Sequence, residues 1–294
     1  MPARQEQSRC PTLAATLSAV LLLGLFAGGC AIERAVTPLD PQPRLIHLPG
    51  VAGDNPWERA YLNALRTGGL DAETELYDWT QRQFWITNLQ AYDANRAAAR
   101  GLASYLTKLH REKPDRPLLL TCDSGGAGPL VWALEALPDD VAVDGIILLA
   151  PALSHDYDLT RALRRVRKSA YVFWSPGDGL VLDFGTRMFG TIDGKRAAAA
   201  GSRGFATPAD ADLEQYRKLV HVKYEPTWFG QYGNPGDHVG AMTTRFASGY
   251  LAPLLTDLVT TATDDAADRA AVASDNVPPT AHVTPPASGS STIE

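Results

Sequence analysis

The chain has 294 residues, 45% of them hydrophobic, a formal net charge of -6 and three cysteines. That size and apolar content suit one large α/β domain or two small ones, each with a real core. The acidic balance, with its basic residues scattered, argues against a nucleic-acid partner. Cys10 and Cys30 lie in or beside an N-terminal apolar segment, so the folded part keeps only Cys122, and the Cys and His spacings of metal ligands are missing.

Residues 1–29 read as an export signal. Arg4 and Arg9 sit in a polar head, and Leu13 to Phe26 form an apolar run ending in Ala27-Gly28-Gly29-Cys30. Small residues before a cysteine resemble the lipobox of bacterial lipoproteins, although Ala27 stands where leucine is usual. The resemblance implies cleavage before Cys30, which becomes the lipid-bearing first residue. The alternative is an uncleaved anchor, since Cys10 to Gly29 is nearly long enough to span a membrane. Either way the domain is expected in the bacterial cell envelope, tethered to a membrane and facing the periplasm or exterior. Residues 30–43 form a short proline-containing tether.

The domain proper is read as 44–260. Its first strand is Leu45 to Leu48, followed by Pro49-Gly50-Val51-Ala52-Gly53. A helix follows, with Asn55 as N-cap, Pro56 at its first position, and Trp57, Tyr61, Leu62 and Leu65 as its buried stripe. Thr74 to Trp79 is the next strand, and a long helix spans Tyr92 to Lys113. Pro117 to Cys122 and Val143 to Leu149 are continuous apolar strands. A basic helix from Leu159 to Arg167 leads into the strand Tyr171 to Trp174. Residues 180–217, rich in Gly and Ala, read as an inserted flap. Leu219 to Tyr224 is the last strand, and a closing helix spans Met242 to Leu258. Residues 261–294 have almost no large apolar side chains and are expected to be a disordered tail.

This alternation calls for an α/β fold with a mostly parallel, doubly wound sheet of about six strands. The turns at Gly50, Ser124, Pro151, Asp178 and His238 then share the carboxyl edge, where such sheets bind ligands.

The organising stretch is Arg116 to Pro138. An apolar strand ends in Cys122-Asp123-Ser124-Gly125-Gly126, and helix-like spacing follows through Leu130, Val131, Leu134 and Leu137. A serine at so tight a reversal is pushed out of the backbone, beside the N–H groups that open a helix. From the residues alone, Ser124 could equally be a helix N-cap. A phosphate-cradling glycine loop lacks its Gly-Lys-Ser/Thr. The stretch resembles the G-x-S-x-G nucleophile elbow of the α/β-hydrolase superfamily, with Cys122 in place of the first glycine. Six strands correspond to that fold without its first two.

The resemblance implies the chain order serine, acid, histidine. Ser124 is then the nucleophile. His238, in the loop after the last strand and bounded by Gly236 and Gly240, is the base. Asp178, in Ser175-Pro176-Gly177-Asp178, is the acid, with Asp156 and Asp158 as rivals. His47-Leu48-Pro49-Gly50 loosely resembles the family's oxyanion loop, so the oxyanion donors would be Gly125 N–H and one from Gly50 or Val51. The implied activity is a lipid-anchored serine esterase or lipase acting on a small-molecule or lipid ester, with no metal or organic cofactor. Trp79, Leu153, Leu180 and Phe184 suggest an apolar acyl group. The alternative from another class is a non-catalytic binding or scaffold lipoprotein with a degenerate site.

Overall fold

The computed structural model describes residues 42–80, 84–180 and 190–275. Residues 1–41, with Cys30 and the expected signal, lie outside the described residues. Six strands form one all-parallel sheet in the order β2-β1-β3-β4-β5-β6. They are β1 (Arg44–Leu48), β2 (Glu73–Leu76), β3 (Leu118–Asp123), β4 (Val143–Leu149), β5 (Val166–Trp174) and β6 (Leu219–Lys223). The helices are α1 (Pro56–Thr67), α2 (Trp85–Gln90), α3 (Tyr92–Glu112), α4 (Ala127–Glu135), α5 (Thr160–Leu163), α6 (Ala200–Arg203), α7 (Leu213–Tyr216), α8 (Thr227–Tyr232) and α9 (Ala252–Asp275).

Period-two alternation splits β3 between two cores. Leu118, Leu120 and Cys122 pack with Leu102 and Leu106 of α3 and Leu130 and Leu134 of α4. Leu119 faces the other way, toward Tyr61 and Leu65 of α1 and Leu255 and Leu258 of α9. The chain runs outward from β1 to β2, then crosses back over β1 to reach β3 and continues on the other side. That reversal opens a crevice at the carboxyl ends of β1 and β3.

Several elements differ from expectation for identifiable reasons. Trp57 is 73% exposed, and Glu58 is buried in its place because its carboxylate has partners in the core. Asn55 does cap α1, accepting from the Trp57 and Glu58 N–H groups at 2.9 and 3.3 Å. β2 ends at Leu76, short of Trp79. The basic helix stops at Leu163, and β5 starts at Val166, pairing with Val143. Arg167 is consumed by that strand. It donates to the buried Asp144 at 3.1 Å, and Asp144 also accepts the Leu118 N–H at 2.8 Å.

Of the expected flap, 181–189 lie outside the described residues. Ile192 and Ala200 pack in the main core, with the Ile192 N–H donating to Ala152 O at 3.0 Å. The closing helix begins later and ends later than expected. Short turns occupy Gly240–Met242 and Thr244–Phe246, a π-turn covers Ala247–Leu251, and α9 runs to Asp275. Leu255, Leu258, Val259 and Ala262 continue one buried stripe past the expected end, and the alanine-rich sequence beyond favours helix.

The segment between β6 and His238 is held by aromatic packing. Trp228 of α8 lies 5.0 Å from both the Phe246 and Tyr250 rings, and Phe246 also meets Phe173 edge-on at 6.0 Å. Phe246 is fully buried. Phe246→Ala is therefore expected to lower unfolding free energy by about 3–5 kcal/mol, measured by denaturant titration.

Candidate active site

β3 and α4 meet in a single helical turn, Ser124–Gly126. Ser124 sits there at φ 49°, a left-handed conformation a serine adopts only when its surroundings impose it. The Ala152 N–H donates to Ser124 O at 3.0 Å and holds the strained backbone from the end of β4. The loop after β1 passes very close by. A Cβ on Gly126 would lie 2.6 Å from both Leu48 O and Pro49 O, and one on Gly125 would lie 2.4 Å from Val51 Cγ1. Gly126 needs glycine because backbone fills the space, whereas a side chain at Gly125 would have to displace the Val51 methyl. Cys122, two residues before Ser124 in the buried strand, faces the α3–α4 core, and burial pushes its thiol well above the usual range.

His238 Nδ1–H donates to Asp178 Oδ1 at 2.9 Å. With that tautomer, Nε2 accepts from the Ser124 hydroxyl, also at 2.9 Å. Three side chains far apart in sequence are thereby joined at the carboxyl edge of β3, β5 and β6. The two loops that carry Asp178 and His238 are tied to each other. Ser175 Oγ donates to Gly236 O, while a Cβ on Gly177 would meet that same carbonyl at 2.7 Å. Gly236 has φ +78°, and its N–H donates to the buried Asn234 Oδ1 at 2.9 Å. These ties bend the chain so that His238 turns inward.

Asp156 and Asp158 are engaged elsewhere. Asp156 pairs with Lys195 at 3.1 Å. Asp158 Oδ1 accepts the Thr160 N–H at 2.9 Å and the Tyr216 hydroxyl at 3.1 Å. Among the other histidines, His155 meets Gly204 O, His221 accepts the Phe205 N–H, and His47 is fully buried.

Ser124 thus stands in a tight strand-to-helix turn at the switch of a doubly wound parallel sheet. The chain has the α/β-hydrolase fold. No protein-family model and no curated protein matches its sequence. Among solved structures it is similar to a predicted CIB-like hydrolase from Thermoplasma acidophilum, with 15% identity, TM-score 0.40, and coverage of 73% of this chain and 86% of that one. It is similar to Aspergillus fumigatus lipase B at 13% identity and TM-score 0.46, covering 77% of this chain and 57% of the lipase. A cutinase-like protein from Cryptococcus sp. has 14% identity and TM-score 0.39, with 76% and 95% coverage.

In the β1 loop most polar groups beside the turn are committed, while the Val51 N–H is left open. Trp79 Nε1–H donates to Pro49 O at 2.7 Å, the Gly50 N–H donates to Glu58 Oε1 at 3.1 Å, the Gly53 N–H donates to Gly50 O at 3.0 Å, and Asn88 Nδ2–H donates to Val51 O at 2.9 Å. Gly50 is thus committed. The Val51 N–H has no such partner among the described residues, and it lies 3.6 Å from the position of a Cβ on Gly125. The first N–H groups of a helical turn also lack partners within the helix, which leaves Gly125 N–H available beside it.

Trp79 and Leu153 are buried, Trp79 with its indole spent on the loop. The Leu180 side chain and Phe184 lie outside the described residues. Glu58, Asn88 and Asp123 are site neighbours that sequence reasoning missed. Glu58 lies in the first turn of α1, where acids are common, and its contact back to Gly50 has no local sequence signal. Asp123 immediately precedes the serine and is buried, with no hydrogen bond to Oδ1. Burial raises its carboxyl to about 8, against the opposing charge of His238.

Among the described residues no cluster of His, Cys, Asp and Glu could hold a metal. Burial lowers the proton affinity of His238, but its hydrogen bond and charge pairing with Asp178, helped by Asp123 and Asp237, outweigh it and set the imidazole above its ordinary value. Removing the Asp178 charge should reverse that balance. In Asp178→Asn the His238 imidazole is expected to titrate at lower pH than in the wild type, read by NMR of the ring protons.

Proposed function

We propose that this protein is a lipid-anchored serine hydrolase that cleaves carboxylic esters, of the esterase or lipase type, through Ser124, His238 and Asp178. The observation that carries this reading is the unbroken hydrogen-bonded series from Asp178 through His238 to a strained, elbow-held Ser124. A serine hydroxyl becomes a competent nucleophile only when a base takes its proton, and the base needs a carboxylate to fix its tautomer. Each requirement has a side chain at 2.9 Å.

In this reading Ser124 Oγ attacks the ester carbonyl while His238 Nε2 takes the hydroxyl proton. The carbonyl oxygen gains charge and is held by the N–H groups of Val51 and Gly125. As the tetrahedral adduct collapses, His238 returns the proton to the departing alkoxide, leaving an acyl group on Ser124. Water, deprotonated by the same nitrogen, attacks that acyl group and frees the acid. Asp178 stays ionised throughout and offsets the imidazolium charge.

The membrane attachment rests on the sequence of residues 13–30, and no helix among the described residues is long and apolar enough to cross a membrane. Cys30→Ser is expected to leave an uncleaved precursor, and mass spectrometry of the wild-type protein to find its N-terminus lipidated at Cys30. A mature N-terminus elsewhere would contradict the anchor.

Ser124→Ala is expected to cut ester hydrolysis by about a thousandfold or more and to abolish labelling by a fluorophosphonate, with the thermal midpoint preserved. Asp178→Asn should lose about as much turnover, while Asp156→Asn and Asp158→Asn stay near wild type. Near-wild-type turnover in Ser124→Ala would rule out the mechanism.

A further inference from the structure

An oxyanion donor is useful only if its direction is fixed before the charge develops. The β1 loop shows how that direction is set. A trans peptide is planar, with its N–H opposite its C=O, so holding one group aims the other. The Gly50–Val51 peptide has its carbonyl tied to the Gly53 N–H, which turns the Val51 N–H the opposite way. That peptide can hold its plane only if the preceding one does too. The Pro49–Gly50 peptide is gripped on both sides, by Trp79 at its carbonyl and by Glu58 at its N–H.

Glu58 is the less ordinary of these two grips. It is a carboxylate with 5% of its side chain exposed, on the inward face of α1. Its second oxygen, Oε2, lies 2.8 Å from Nε2 of His47, a residue of β1 just before the loop. His47 Nδ1 in turn lies 2.8 Å from Thr121 Oγ1 in β3, and its ring packs 4.7 Å from Tyr61. In the neutral tautomer that suits both contacts, Nε2–H donates to Glu58 and Nδ1 accepts from the Thr121 hydroxyl. A fully buried polar series therefore runs from the strand that ends in the nucleophile to the loop that holds the oxyanion donor. An apolar core would be the simpler way to pack α1 on β1.

We propose that Glu58 is a positioning residue, one that holds the Pro49–Val51 loop through the Gly50 N–H and His47 so that the Val51 N–H faces the oxygen developing charge beside Ser124. This rests on the hydrolase reading above. Glu58 touches no reacting atom. Its effect is felt where the tetrahedral adduct is stabilised and little where the neutral ester binds.

The test is kcat and KM for p-nitrophenyl esters in Glu58→Leu, Glu58→Asp and Glu58→Gln, with Ser124→Ala and thermal midpoints alongside. Glu58→Leu removes both hydrogen bonds, and kcat should fall roughly 10- to 100-fold, less than for loss of a donor itself, with KM within about threefold. Glu58→Asp keeps the charge but withdraws the carboxylate by one methylene from the Gly50 N–H. It keeps the fold if the leucine variant does not, and should lower kcat roughly tenfold. Glu58→Gln can accept the Gly50 N–H and donate its amide to the other tautomer of His47, so kcat should return to within about threefold of wild type. Wild-type kcat in Glu58→Asp, or an equal loss in Glu58→Gln and Glu58→Leu, overturns the proposal while an inactive Ser124→Ala leaves the hydrolase reading standing. An active Ser124→Ala removes that reading instead.

Discussion

Two backbones meet where β1 ends and β3 turns, and their separation governs everything at the carboxyl edge. Leu48 O and Pro49 O stand where a side chain on Gly126 would be, so the turn and the loop meet there through main chain. That contact cannot loosen by a side-chain rotation. It places an unbonded N–H beside a serine whose own backbone is strained, and it forbids any residue larger than glycine at Gly126. Strain of this kind costs on the order of 1–3 kcal/mol and persists only where surrounding structure over-determines it. Here the Ala152 N–H and the Leu48–Val51 segment supply that determination.

The parallel sheet explains why parts so distant in sequence converge. All six carboxyl ends lie on one edge, so each strand delivers its following loop to the same region. β1 supplies the loop with the open Val51 N–H, β3 Ser124, β5 Asp178 and β6 His238. The aromatic group around Phe246 steadies the last of these from below, because the loop to His238 is long and has α8 as its only helix. Charge is arranged with equal economy. Asp178 and Asp123 share the neighbourhood of one imidazole, but of the two only Asp178 accepts its hydrogen bond.

Much of this was legible in sequence because the signals were of the kind that local physics writes plainly. Continuous apolar runs marked β3 and β4, Asn55-Pro56 marked the start of α1, and Ser124, Asp178 and His238 stood in loops after separate strands. What escaped notice depended on long-range contact. Nothing local distinguishes Glu58 from an ordinary first-turn acid; its partner His47 lies eleven residues away, and Thr121 is seventy-four residues from His47. Arg164, Arg165 and Arg167 read as one helical face because charge density masks a strand, yet Val166 pairs with Val143 and Arg167 is neutralised by Asp144. The extent of α9 was underestimated for the opposite reason: small side chains suggest disorder, whereas an alanine-rich run continuing from a buried stripe simply propagates the helix.

The direction of β1 has a mechanical consequence. Its first residue, Arg44, lies at the amino edge of the sheet, and its last, Leu48, at the edge where Ser124 sits. Five residues of strand separate the two edges by roughly 16 Å. A pull applied through the chain ahead of residue 42 is therefore borne at the end of the molecule remote from the serine. Parallel pairing of β1 with both β2 and β3 spreads such a load in shear over nine residue pairs, so tension on the N-terminal side reaches the turn at Ser124 only after the two flanking strands have shared it.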